Sequence, residues 1–372
     1  MAHEDHLVAE GVRALRGLLP EGWSSVRVLE SAGGEHRHGG GYVDARVDIG
    51  APGSQGATLL VEAKSGVAPR DVELVVGRLR RAADQLDRTA GVVFAPWLSA
   101  RTRSLLDAAG VGYLDLTGNV HLRLAEPALF IRVSGAERDP APARRASLSL
   151  RGPGAGRVVR FLVDVAPPYT ASSVAEFTGV SVPYVSRLLS MLDREALVER
   201  GERGLVVGVD WQNLLRVRAE WYQVFGTNEA HGFISGQGAR EVVRRLLSDP
   251  ATIYRAVTGS FAAAQRAPIA ATSQLAVYVE DPGATARALG LLPTDEGADV
   301  VLLTPYDDIA VDRSVFEEGV WVAAPSQVVL DCLTGSGRMP AEGQALLEWM
   351  AADEGWRRKN TDGMERRGQV YR

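Results

Sequence analysis

The chain has 372 residues, 46% hydrophobic and 23% charged, a globular composition with material for two or three domains rather than a fibrous or disordered chain. Its single cysteine, Cys332, excludes a disulfide framework and a Cys-rich metal site and fits a reducing cytoplasm. The start, MAHEDHLVAEG, is acidic and has no apolar core, so no signal peptide is expected, and no apolar run is long enough to span a membrane.

The formal net charge of −5 is spread unevenly: −2 over residues 1–137, +3 over 138–220, −10 over 221–356 and +4 over 357–372. A polyanionic partner would meet the middle segment first. Of 41 basic residues only Lys64 and Lys359 are lysines.

Taken in chain order, residues 1–137 alternate helical and extended patterns. Leu7, Val8, Val12, Leu15 and Leu18 recur at helical spacing. GYVDARVDI (41–49) alternates polar and apolar residues, and ATLLVEAK (57–64) follows a turn-rich APGSQG. A helix is expected from Pro69 to about Leu86, a buried strand at 91–96, a short helix over 99–110 closed by Gly110, and a hairpin through VGYLDLTGNVHLRL. Strands interleaved with helices imply an α/β layer. Residues 138–156 are rich in Pro, Ala, Gly and Arg and read as a mobile linker. A block over 157–225 and another over 231–350 follow. Residues 357–372 read as a basic, disordered tail.

The segment 172–209 has the spacing of two helices and a hairpin. Ser173 and Glu176 stand at capping-box distance, and Gly179 allows a tight turn. Ser181 and Pro183 suit the start of a second helix whose stripe Val185, Leu188, Leu189 and Leu192 is buried. Tyr184, Ser186, Arg187 and Ser190 are expected on its solvent face, and Arg200 and Arg203 at the hairpin tip. The pattern resembles the winged helix-turn-helix of bacterial regulators of the MarR and IclR type. That resemblance implies double-stranded DNA as the partner, with the helix residues near base edges and the arginines on phosphates. A helical hairpin used only for dimer contact is the plain alternative.

In 57–64, Glu62 and Lys64 share one strand face, as do Asp44 and Asp48 one strand earlier. Two carboxylates with an ammonium suit a hard divalent cation and its water. A surface ion pair is the competing reading, weighed down by the scarcity of lysine in this chain. The pattern resembles the PD-(D/E)xK nuclease fold with Asp44, preferred over Asp48, Glu62 and Lys64 as catalytic residues. Asp44 and Glu62 would hold Mg²⁺, and Glu10 could add a carboxylate. The proline of that motif is absent: Val43 precedes Asp44.

Asp115, Gly118 and Asn119 in GYLDLTGNVHLRL match a D-x-x-G-N segment of AbiE-type (type IV toxin–antitoxin) antitoxins, and Ala256–Ala263 match their A-V-T-G-S-x-A-A stretch. Read as residues alone, Asp115 caps a turn or binds Arg101 or Arg103, and His121 is a surface strand residue. The region 252–281 resembles a minimal nucleotidyltransferase fold in which Gly259-Ser260 would cradle phosphate. Val277 and Val279 occupy its second strand where a metal-binding carboxylate pair would be needed, so that domain is expected to be non-catalytic.

The expected architecture is therefore α/β and multi-domain: a nuclease-like sheet (1–137), a central winged helix-turn-helix, and a nucleotidyltransferase-like domain. AbiE-type antitoxins usually begin with their winged helix, whereas here it lies in the middle. The resemblance implies a DNA-binding transcriptional regulator without cofactor, homodimeric, with a possible toxin partner. A Mg²⁺-dependent DNA nuclease is the alternative, and no membrane is involved.

Overall fold

The computed structural model describes residues 2–28, 43–83, 86–140, 149–248, 255–269, 272, 274–317, 319–362 and 364. It is a mixed α/β protein that divides into two compact units, Met1–Ala146 with Arg194–Ala196, and Ser147–Asp193 with Leu197–Arg372. Among the described residues no helix is long and apolar enough to cross a membrane.

In the first unit, α1 (Ala2–Arg16) leads into β1 (Ser24–Val28), β2 (Ala45–Gly50) and β3 (Ala57–Ala63). Then come α2 (Val72–Ala83), β4 (Thr89–Ala95), α3 (Ala100–Ala108), β5 (Gly112–Asp115), β6 (Val120–Leu124) and β7 (Leu129–Val133). The seven strands lie side by side in sequence order. Pairing is antiparallel except β3–β4 and β4–β5, the two connections that contain α2 and α3, as parallel neighbours require a crossover. Each face of the sheet has its own core. Leu7, Val8, Val12 and Leu15 of α1 pack with Val47, Ile49, Leu59, Val61 and Phe94, whereas α2 and α3 cover Leu60, Val93 and Ala95. Strand β3 is therefore apolar on both faces. Gly11 of α1 meets Phe94 so closely that a Cβ would clash with the ring, so a side chain there would force the ring or the helix to shift.

The second unit opens with α4 (Pro153–Asp164), α5 (Ala171–Thr178), α6 (Val182–Arg194), the hairpin β8 (Val198–Arg200) and β9 (Val206–Val209), and α7 (Trp211–Ala219). It continues through α8 (Val224–Thr227), β10 (Glu229–Ile234), α9 (Ala239–Ser248), β11 (Ala256–Thr258), α10 (Gly259–Ala264), β12 (Leu275–Tyr278), α11 (Pro282–Leu289), β13 (Leu292–Pro293) and β14 (Val300–Thr304). It closes with β15 (Val315–Glu317), β16 (Val320–Val322), α12 (Pro325–Leu333) and α13 (Met339–Ala352). A mixed sheet runs β13-β10-β14-β12-β11-β16-β15, with β12–β14 and β11–β16 parallel.

The segments 157–225 and 231–350 share one hydrophobic core, in which Val159, Leu189 and Leu215 belong to the same cluster as Val277, Leu302 and Leu347. Polar groups cross the same seam. Arg160, 1% exposed, donates to Ile309 O at 3.0 Å and Gln327 Oε1 at 2.7 Å, and Arg157 clasps Asp307 at 2.7 Å.

Two expectations about the unit's ends change. Of the segment read as a mobile linker, residues 141–148 lie outside those described. Leu150 is fully buried, and Pro153–Gly156 already form the first turn of α4. The start of the basic tail is docked rather than disordered: Arg357 donates to the carbonyls of Val163, Leu162 and Val165, capping the buried last turn of α4. Arg358 pairs with Val165, and Trp356 packs edge-on against Trp211.

Candidate functional site

Strands β2 and β3 set Ala45 opposite Val61, and the Asp44 amide extends the ladder by donating to Val61 O at 3.0 Å. By the two-residue period Asp44, Thr58, Leu60, Glu62 and Lys64 share the face away from α1. Lys64 Nζ donates to Asp44 Oδ2 at 2.7 Å and lies 2.8 Å from Glu62 Oε2. Asp44 Oδ2 also accepts the Ala63 amide at 2.8 Å. Exposure falls from 26% for the Lys64 side chain to 12% for Asp44 and 2% for Glu62. Burial alone would lower the lysine pKa, but contacts with Asp44 and then Glu62 outweigh it and hold the ammonium above its ordinary value.

Asp48 stands apart, accepting from Thr58 Oγ1 at 2.7 Å in solvent. Glu10 does not reach the cluster: it pairs with Arg13 at 2.7 Å on α1, against the other face of the sheet. Of the two aspartates considered, the geometry gathers Asp44.

Two carboxylates that meet at one cation fit a divalent ion that keeps several waters. Among the described residues no group of three His, Cys, Asp or Glu side chains forms a metal cage, so an ion held by this pair would depend on water for the rest of its shell. Asp44 and Glu62 would hold Mg²⁺, which there would act as a Lewis acid and lower the pKa of a bound water.

The D-x-x-G-N segment is structural. Asp115, 1% exposed, accepts from the amides of Leu98 (3.1 Å), Thr117 (3.0 Å) and Asn119 (3.1 Å), from Thr117 Oγ1 (2.6 Å) and from Asn119 Nδ2 (2.9 Å). Its partners are thus the turn and not an arginine, while Arg103 binds Asn119 Oδ1 instead. Gly118 has φ +96°, which favours glycine. His121 is half-buried, its ring between Tyr113 and Phe130, with Nδ1 3.2 Å from Asp107.

In the second unit α5 begins earlier than the Ser173–Glu176 spacing suggests. Thr170 is the cap, forming a reciprocal box with Ser173, because Thr170 has the extended backbone a cap needs. Gly179 ends α5 at φ +66°. On α6 Arg187 and Ser190 are exposed and Ser186 is half-buried. Tyr184, expected in solvent, instead leans on the core, and that burial raises its phenol pKa.

Arg200 is not at the hairpin tip. It lies in β8 and donates to Ser190 Oγ at 3.0 Å, tying the hairpin to α6. The tip is Gly201–Gly204, where Arg203 is exposed at φ +55°. The acids Glu199 and Glu202 are exposed on the same hairpin.

At the Gly259-Ser260 turn, Ser260 Oγ donates to Glu342 Oε2 at 2.5 Å, so a carboxylate stands where a phosphate was expected. The residue before the turn, Thr258, donates to the buried Asp331, which also accepts from Tyr222, Tyr278 and Gln327. Sequence reading missed this four-donor carboxylate, because its partners come from four separate segments. Arg160, by contrast, stands four residues before Asp164 on an apolar helix, a spacing that signals an intrahelical pair and is found at 3.1 Å.

No protein-family model matches the chain, and no curated protein is significantly similar to it.

Proposed function

We propose that the protein is a DNA-binding transcriptional regulator that uses α5, α6 and the β8–β9 hairpin as a winged helix-turn-helix and is similar in kind to AbiE-type antitoxins. The observation that carries this reading is the brace between Arg200 and Ser190 at 3.0 Å. It locks hairpin and helix into one surface while Arg187 and Arg203 stay exposed. α6 would enter the major groove with Arg187 at base edges, and Arg203 would neutralise a phosphate. Glu199 and Glu202 beside it oppose indiscriminate phosphate binding, so affinity would rest on sequence-specific contacts of α6. The first unit and the nucleotidyltransferase-like part of the second would serve dimerisation or a toxin partner, in the cytoplasm.

The test is fluorescence anisotropy on duplexes selected from a random pool, titrated with KCl. Affinity should fall by a slope of about 0.9 per phosphate contact, and Arg187→Ala should cost about 1–3 kcal/mol and relax sequence preference. Binding that ignores salt, or an Arg187→Ala variant with unchanged affinity and specificity, would refute the proposal.

A second reading is supported by the meeting of Asp44, Glu62 and Lys64: a metal-dependent DNA nuclease of the PD-(D/E)xK type, targeted by the same helix pair. There the two carboxylates would bind the ion, and the Lys64 ammonium, fixed 2.7 Å from Asp44, would orient a phosphate or water.

A further inference from the structure

A cavity of about 430 Å³ opens in the second unit between the Gly259-Ser260 turn, the starts of β12 and β14, and the loop before α13. That is the size of a small-molecule site and far too large for a bare ion. Its polar lining includes Ser260, Gln274, Asp299, Glu342 and Arg338.

Hydrogen-bond accounting gives the wall a sign. The Ser260 hydroxyl spends its one hydrogen on Glu342 Oε2 at 2.5 Å, so it offers the cavity lone pairs. Gln274 commits one amide hydrogen to Ala298 O at 3.0 Å and keeps its carbonyl oxygen as an acceptor beside its second amide hydrogen. Asp299 is held by the Ser235 amide at 2.8 Å and keeps a second oxygen. Glu342 is 5% exposed, and a buried carboxylate calls for a cation or further donors. The one lining cation, Arg338, is exposed. The surrounding segment 221–356 carries 8 basic against 18 acidic residues, a field that draws cations and repels phosphates.

We propose that this cavity binds a small organic cation, an amine or guanidine with several N–H donors, through Glu342, Asp299 and Gln274. This assigns the Gly259-Ser260 turn a ligand of opposite charge to a nucleotide and does not depend on the DNA-binding reading.

The experiment uses the full chain with putrescine, spermidine, agmatine and arginine amide as probes. Inorganic phosphate and ATP are the opposing set, all at matched ionic strength, read by thermal shift and calorimetry. At least one cation should bind saturably with Kd below about 1 mM, and phosphate and ATP should not. Glu342→Gln keeps an acceptor for Ser260, and Asp299→Asn keeps one for Ser235. Each should weaken the cation by about tenfold, the loss of a charge-assisted hydrogen bond. Should Glu342→Gln fold poorly, Asp299→Asn carries the test alone. No binding by any cation, binding by Asp299→Asn and a folded Glu342→Gln as tight as by wild type, or preference for phosphate or ATP overturns the proposal.

Discussion

Replacing Lys64 with Met asks what holds two carboxylates together at the C-terminal end of β3. The ammonium contacts Asp44 at 2.7 Å and Glu62 at 2.8 Å, and Glu62 is 2% exposed, so the variant leaves a buried anion facing a second anion. Breaking a fully buried pair costs about 3–5 kcal/mol. Lys64 keeps 26% of its side chain in water, which screens the interaction, and about 2 kcal/mol is expected. Urea titration with peptide-resolved hydrogen exchange over β2–β4 reads the first unit separately from the second.

The loss should follow a definite pH course. A lysine whose folded pKa is raised contributes stability that is full below its unfolded value and disappears as pH rises through the folded one. Wild type and Lys64→Met should therefore keep their full difference up to the ordinary lysine value of about 10.4 and converge only as pH rises beyond it, through the higher folded value. Mn²⁺ should rescue the variant by about 2.7 kcal/mol at a hundredfold excess over its Kd. Its effect on wild type should be smaller, because the ammonium already occupies the meeting point of the two carboxylates. A variant as stable as wild type at pH 8, with no metal response, would refute both the electrostatic account and the cation site.

Three further outcomes bear on function and fold. If the nuclease reading holds, supercoiled plasmid should be nicked with Mn²⁺ but not with EDTA, and Glu62→Ala should abolish nicking; metal-dependent cleavage that survives Glu62→Ala would remove the residue from the chemistry. Asp331→Leu should destabilise the second unit by about 4 kcal/mol by orphaning donors from Thr258, Tyr222, Tyr278 and Gln327. Burial, against those hydrogen bonds, raises the Asp331 pKa, so its contribution is full below about pH 4 and declines as pH rises through the folded value. The advantage of wild type over Asp331→Asn in urea should shrink as pH rises from 4, and an advantage that grows would contradict the direction.

Much of the architecture is written locally. The helical stripe of α6, the glycine that ends α5 and the alternation of β2 depend on periods of 3.6 and 2, which neighbouring residues set between themselves. The same period placed Glu62 and Lys64 on one face. Whether they met Asp44 or Asp48 depended on strand register, and only pairing Ala45 with Val61 decided for Asp44.

Exposure was also beyond the sequence. Tyr184 looked like a reading-face residue but packs on the core, and Arg200 braces Ser190 instead of standing at the tip. The joining of segments 157–225 and 231–350 into one core, the docking of Arg357 on α4, and the partnership of Ser260 with Glu342 link residues from 82 to 195 positions apart. Sequence sets each element's own conformation, because those energies are local. Burial, charge pairing and the sign of a cavity wall belong to groups that meet only when the chain has packed.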